Sequence, residues 1–239
     1  MEFEQFKKLL DEELKILSIN ISELQAEQFY QYMNLLLEWN KKINLTAIIE
    51  EKEIITKHFV DSLIISKYIK NSEKVIDIGT GAGFPGIPLK IINEKINIDL
   101  LDSLNKRIIF LNEVICNLKL ENISAIHGRA EDLARVAKHR EQYDIVVSRA
   151  VAKLNVLLEY MMPFVKVGGK CICMKGSNIE ELEEAKKAVK VLGGKIEKIE
   201  EITLPNSDIK RNNIIIKKIK EISNEYPRKA GIPAKSPIY

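Results

Sequence analysis

The residues best suited to chemistry fall in VIDIGTGAGFPGIPL, positions 75–89, and in the runs that follow it. An apolar run carries Asp77 near its end, breaks into Gly79, Gly81, Gly83 and Gly86, and restarts as a helix. Gly81, Gly83 and Gly86 satisfy G-x-G-x-x-G, a turn whose bare backbone lets a ligand approach closely. Asp102 closes the next apolar run, where a ribose-binding acid belongs. By spacing alone this is a dinucleotide loop, and a nicotinamide oxidoreductase has to be weighed. The third run closes in HGRAED, with Ala130 and Glu131 at its end, and the fourth in SRA, with Arg149. Other chemistries lack their parts. His58, His127 and His139 lie in different elements, so no metal site is expected. Cys116, Cys171 and Cys173 form no C-x-x-C pair, and the last two point to one face of an apolar strand, as reduced core thiols do.

Charge separates the candidate ligands. A pyrophosphate sits on backbone N–H groups at such a turn, and Asp77 beside it is repulsive in a partly dry cleft. A cationic ligand reverses the sign, and S-adenosylmethionine brings a sulfonium and an ammonium. Asp102 can accept from both ribose hydroxyls, and Ala130-Glu131 fall beside the adenine position. All these residues lie at strand carboxyl ends, where doubly wound sheets bind ligands.

The elements that position them fall into two regions. Residues 1–72 read as helical: Phe3, Phe6, Leu9, Leu10, Leu14 and Leu17 recur at three- and four-residue intervals. Ser22 and Gln25 have capping-box spacing before a second helix, and a third spans about 54–69, carrying His58 and Asp61. WNKKINLT between these last two reads as a break. From 73 to 239, six short apolar runs (KVIDIG, NIDLLD, ISAIHG, YDIVVSRA, GGKCICMKG and NNIIIKKI) alternate with amphipathic stretches such as GIPLKIINE and AEDLARVAKHR. That alternation means an α/β fold with a mostly parallel sheet and helices on both faces. Ser177 and Glu180 have capping-box spacing ahead of the helix after the fifth run, and Gly193-Gly194 closes it.

DIGTGAGFPGIPL, LLDSLNKRIIFL, HGRAED, YDIVVSRAVAKL, MMPFVKVGGKCICMKG and YPRKAGIPAKSPI, with WNKKINLTAI and KHFVDSL upstream, together resemble the ribosomal RNA small subunit methyltransferase G family, also called glucose-inhibited division protein B. The resemblance runs in order along nearly the whole chain. It implies a Rossmann-like class I S-adenosylmethionine-dependent methyltransferase fold, with a seven-stranded sheet and an N-terminal helical extension. It also implies in-line transfer of methyl to N7 of one guanine in 16S rRNA. Carried over by position, the cofactor contacts are Gly79, Phe84, Asp102, Ser103, Leu104, Ala130, Glu131 and Arg149; Asp77 and Gly81 join them from the turn itself. Guanine N7 carries a lone pair and no proton, so the demand is for positioning and no general base is assigned. Buried mid-strand cysteines argue against a thiolate-dependent methylation of a pyrimidine carbon.

Composition agrees with a globular chain: 239 residues, 46% hydrophobic, 30% charged, net charge +3. A core of that size needs no disulfide or metal. The amphipathic, acidic start is unlike a signal peptide, and no apolar run approaches membrane-spanning length, so a cytoplasmic, monomeric protein without membrane contact is expected. From 206 to 239, eight Lys or Arg stand against three acids. Lys153, Lys175, Arg228 and Lys229 are the candidate phosphate contacts to 16S rRNA, to the small ribosomal subunit or to an assembly intermediate. A methyltransferase for a small molecule or protein, and a non-catalytic nucleotide- or NAD-binding module, remain alternatives on the residues alone.

Overall fold

The computed structural model describes every residue except 150, 178 and 179. Helix α1 (Phe3–Ile16) buries Phe6, Leu10 and Leu14. Helix α2 (Glu23–Asn40) starts at the expected capping box, Ser22 and Gln25 each bonding the other's backbone N–H. Its last residue shapes the following loop. Asn40 Oδ1 accepts from the N–H groups of Leu45 (2.8 Å) and Thr46 (3.0 Å), and its Nδ2 donates to the Thr46 carbonyl (3.0 Å). The third helical region is not one α-helix: α3 (Glu51–Ile54) runs through a π-helical turn, Ile55–Val60, into α4 (Asp61–Leu63). Such turns recur where a side chain is set for function, and this one carries His58.

The remaining elements alternate: β1 (Lys74–Ile78), α5 (Gly86–Ile92), β2 (Asn97–Asp102), α6 (Asn105–Asn117), β3 (Ile123–His127), α7 (Ala130–Leu133), β4 (Tyr143–Arg149), α8 (Leu154–Met161), β5 (Val165–Lys175), α9 (Glu181–Val191), β6 (Gly194–Thr203), β7 (Lys210–Lys218) and α10 (Ile232–Lys235). The seven strands lie in the order β3-β2-β1-β4-β5-β7-β6. The first five pair in parallel, and β7 runs antiparallel to both β5 and β6.

Successive strand residues point to opposite faces, which divides the core into two layers. Val75, Ile98, Leu100, Val147, Ile172 and Ile215 join the cluster that includes Phe6, Phe29, Tyr32 and Phe59 of the N-terminal helices. Ile76, Ile78, Val146, Cys171, Cys173 and Ile216 join Leu157, Met161 and Ala185 on the other side. Residues 1–72 thus cover one face of the sheet together with α5 and α6. Both cysteine sulfurs lie 3.7 Å from Met161 Sδ, as core thiols.

Two expectations are corrected. Strand β6 is absent from the apolar runs because Ile196, Ile199 and Ile202 recur every three residues, a helix-like spacing. A bulge between Ile196 and Lys198 resets the alternation, so Ile196 packs on one layer and Ile202 on the other. AEDLARVAKHR is helical only over α7; the chain then turns, and Arg135 and Arg140 donate to carbonyls of the C-terminal segment at Pro227 (2.5 Å) and Tyr226 (2.8 Å). Helix α9 is described from Glu181, and the Ser177/Glu180 capping spacing ahead of it runs through positions 178 and 179, which lie outside the described residues.

A two-lobed cleft at the carboxyl ends of the strands

The glycine turn sits between β1 and α5. Gly81 has φ +64°, a left-handed conformation that glycine adopts freely, and a Cβ there would meet nothing within 4 Å. Its bare backbone therefore borders open space. Gly86 has the opposite constraint: a Cβ would collide with Leu100 Cδ2 and lie 3.0 Å from Asp77 Oδ2, so a side chain there would displace the buried Leu100 and crowd the Asp77 carboxyl.

Asp77 is placed differently from the expectation of an acid facing a cation. It is fully buried and lines neither lobe of the cleft. Its Oδ2 accepts from Thr80 Oγ1 (2.7 Å) and from the Gly86 N–H (2.9 Å), so it ties the turn together from below. Burial pushes its pKa up to about 7, against smaller opposing effects of those two hydrogen bonds and Arg149. Its Oδ1 is buried without a partner. An acid raised in the folded state is protonated there while the unfolded chain has already ionised. Asp77 therefore subtracts stability progressively as pH rises from about 4 to about 7. Asp77→Asn is expected to remove that component, and urea midpoints measured at pH 5, 6 and 7 should fall less steeply than in the parent. Parallel slopes would show Asp77 to be ionised throughout.

Two cavities adjoin above the turn, of about 390 Å³ and 260 Å³, and share Gly79, Asp102, Ser103 and Val151 as walls. Asp102 stands at their junction, 2% exposed. Its Oδ2 accepts from the Gly81 N–H (2.9 Å) and from Arg107 Nη1 (3.1 Å), and its Oδ1 from the Leu104 N–H (2.9 Å). A carboxylate offers about four acceptor sites, so acceptor capacity remains on this oxygen pair. Leu104 contributes that N–H, while its side chain is exposed and lines neither lobe. Ala130, Glu131 and Tyr160 wall the smaller lobe. Glu131 Oε1 accepts from the Gly231 N–H (3.1 Å), joining that wall to the C-terminal segment.

The larger lobe is completed by residues that the sequence reading left without a site role: Leu45, Thr46, His58 and Arg107. Phe84 is 5% exposed, with the His58 ring stacked on it at 4.4 Å and the Arg149 guanidinium over it at 5.1 Å. Arg149 Nη1 pairs with Asp61 (3.0 Å), whose other oxygen pairs with Arg211 (3.0 Å), and burial lowers the Arg149 pKa from its usual value. Burial first, and Arg149 second, push the His58 pKa down to about 3, so the ring is neutral at physiological pH. The advance signal was that Leu45, Thr46, His58 and Arg107 all lie in stretches matched to family signatures.

The four basic candidates divide. Arg228 forks onto Glu159, which is nearly fully buried (2.9 Å and 2.6 Å), and Lys175 pairs with Glu181 (2.9 Å) and donates to the Ala152 carbonyl (2.7 Å). Lys153 and Lys229 are exposed. A larger groove of about 1170 Å³ opens at the amino ends of β2 and β3, lined by Gln25, Lys90 and Asn122 among others. It contains none of the glycine-turn residues and lies at the strand ends opposite those where such sheets hold ligands. Among the described residues no cluster of three or more His, Cys, Asp or Glu could hold a metal, and no helix is long and apolar enough to cross a membrane.

The strand order with its antiparallel β7, the glycine turn after β1 and the acid ending β2 together define a methyltransferase of the Rossmann-like class I fold. Solved structures share it. An S-adenosylmethionine-dependent methyltransferase from Aquifex aeolicus superposes with a TM-score of 0.54 at 16% identity, over 75% of this chain and 97% of that one. M. jannaschii TYW2 in complex with AdoMet gives 0.53 at 20% identity, over 66% and 75%. The family model described as rRNA small subunit methyltransferase G matches residues 25–212. The chain is 54% identical over 237 residues to the ribosomal RNA small subunit methyltransferase G of Alkaliphilus oremlandii, covering 98% of this chain and 99% of that one. It is 53% identical to that of Acetivibrio thermocellus, covering 98% and 97%. The chain belongs to the rRNA small subunit methyltransferase G family.

Proposed function

We propose that this chain transfers a methyl group from S-adenosylmethionine to N7 of a guanine in 16S rRNA. The observation that carries the reading is the two-lobed cleft with Asp102 at its waist, in a chain of this family. The residues fit the cofactor. Gly81 leaves bare backbone beside open space, Asp102 retains acceptor capacity for a ribose diol, and Ala130 and Glu131 wall a lobe suited to adenine. Gly79, Phe84, Ser103 and Arg149 line the larger lobe, suited to the methionine end. Leu104 acts through its N–H on Asp102. Asp77 acts through the turn it ties, not by direct contact. Bound there, S-adenosylmethionine supplies an electrophilic methyl for in-line transfer.

The side chains of the larger lobe suit an acceptor that needs no deprotonation. His58, with its pKa near 3 and its ring stacked on Phe84, positions rather than titrates. Calorimetry should therefore find binding of S-adenosylmethionine and none of NAD. Mass spectrometry of small-subunit rRNA from cells with and without the gene tests the reaction: one N7-methylguanosine should disappear. An unchanged modification profile would refute the assignment.

The RNA is held by charge, with Lys153 and Lys229 as phosphate contacts, while Arg228 and Lys175 shape the surface through their acidic partners. A cytoplasmic small-subunit particle suits a chain whose sequence shows no RRM-like stacking platform. Lys153→Ala with Lys229→Ala is expected to reduce the slope of log K against log salt by roughly one per lysine and to leave cofactor affinity unchanged. Filter binding across a salt series measures it, and an unaltered slope would remove both lysines from the RNA surface.

A further inference from the structure

The larger lobe holds a hydrogen-bond donor whose direction follows from its neighbours. Thr46 Oγ1 lies 2.7 Å from His58 Nε2 and accepts from the Ile48 N–H (3.0 Å). On the far side of the ring, His58 Nδ1 faces Arg149 Nη2 at 3.3 Å. A guanidinium can only donate, so Nδ1 is the acceptor and the neutral ring carries its proton on Nε2. The Lys57 carbonyl, whose own hydrogen bonding favours the charged His58 ring, also accepts from Arg149 Nη1 (3.2 Å), and it is the Arg149–Nδ1 contact that places the proton on Nε2. His58 Nε2–H then donates to Thr46, whose oxygen receives two hydrogen bonds and whose own proton remains for the cavity that Thr46 lines. Asn40 fixes the Thr46 backbone through the Thr46 N–H and carbonyl, so the donor is held in place before any ligand arrives.

On the proposed reaction, we infer that the Thr46 hydroxyl donates to O6 of the target guanine and thereby selects guanine over adenine. Guanine presents N7 and O6 as two adjacent acceptors on one edge, whereas adenine presents N7 beside the N6 amino donor. A donor on O6 orients that edge with N7 free for the methyl. The same donor meets an amino group in adenine and leaves both groups unpaired. Thr46 is thus a specificity-determining residue, and His58, Arg149 and Asn40 position it.

Small subunits carrying guanosine, inosine or 2,6-diaminopurine riboside at the target position test this directly. The parent enzyme should methylate guanosine and inosine, which keep O6, at least roughly tenfold faster in kcat/KM than diaminopurine, which lacks it. Thr46→Val should bring guanosine down to the diaminopurine level, and Thr46→Ser should restore the preference, with the S-adenosylmethionine Kd of both within about twofold of the parent. The 15N shifts of the His58 ring should report the Nε2–H tautomer. Equal rates with guanosine and diaminopurine in the parent would overturn the inference without touching the reaction. So would a Thr46→Val variant that loses cofactor affinity but keeps its base preference, or an Nδ1–H tautomer. If the parent places no methyl on N7 of guanosine at all, the proposed reaction fails and the inference falls with it.

Discussion

Asp102→Ala is expected to raise the Kd for S-adenosylmethionine by roughly tenfold to a hundredfold. A ribose diol offers two hydroxyl donors, and each hydrogen bond to a charged acceptor contributes about 1.5–3 kcal/mol. Three of the four or so acceptor sites of Asp102 are already taken, so one hydroxyl bonds to it directly, and losing that bond costs about 1.5–3 kcal/mol, or roughly one to two decades of affinity. The substitution also frees the Gly81 N–H and the Leu104 N–H, both of which Asp102 now holds at 2.9 Å, so the turn and the start of α6 loosen together. S-adenosylhomocysteine carries the same ribose and should lose affinity by the same factor, which separates a waist defect from one at the methyl end. Titration calorimetry with both ligands, alongside a thermal midpoint to confirm folding, decides the matter. A Kd within about threefold of the parent would take the ribose role away from Asp102.

Arg149→Met should lower stability by about 3 kcal/mol, the lower end of the cost of breaking a buried ion pair. For a chain of this length that is a thermal midpoint lower by roughly 6–12 °C. The cause is Asp61, 2% exposed at its side chain, which would keep Arg211 but lose its 3.0 Å contact to Arg149. Phe84 would lose the cation over its ring, and the larger lobe one of its walls. Asp61→Asn in the Arg149→Met background should cost less than in the parent, with a coupling of about 1 kcal/mol or more from chemical denaturation. Additive losses would mean that the two residues stabilise the fold independently.

The parallel strands were legible because strands covered on both faces read as near-continuous apolar runs. KVIDIG, NIDLLD and YDIVVSRA are of that kind, and β1, β2 and β4 follow them. The edge strand β6 was not, because a bulge and exposed charges break its alternation. Arg228 and Lys175 illustrate a different limit. Their charge is visible in sequence, but Glu159 lies 69 residues from Arg228 and becomes its partner only when α8 packs under the C-terminal segment.

The glycine turn, the acid ending β2 and the order of the motifs were determined by sequence alone, because each depends on local backbone freedom or on position along one strand. Tertiary structure decided what those groups face. Asp77 has the spacing of a cleft acid, yet burial turns it under the turn as a brace with a pKa near 7. Phe84 walls the lobe only because His58 and Arg149, from an upstream helix and a later strand, close over its ring. Thr46 likewise gains its free donor only where Asn40, His58 and Arg149 converge, since the direction of a hydroxyl is set by its neighbours in space.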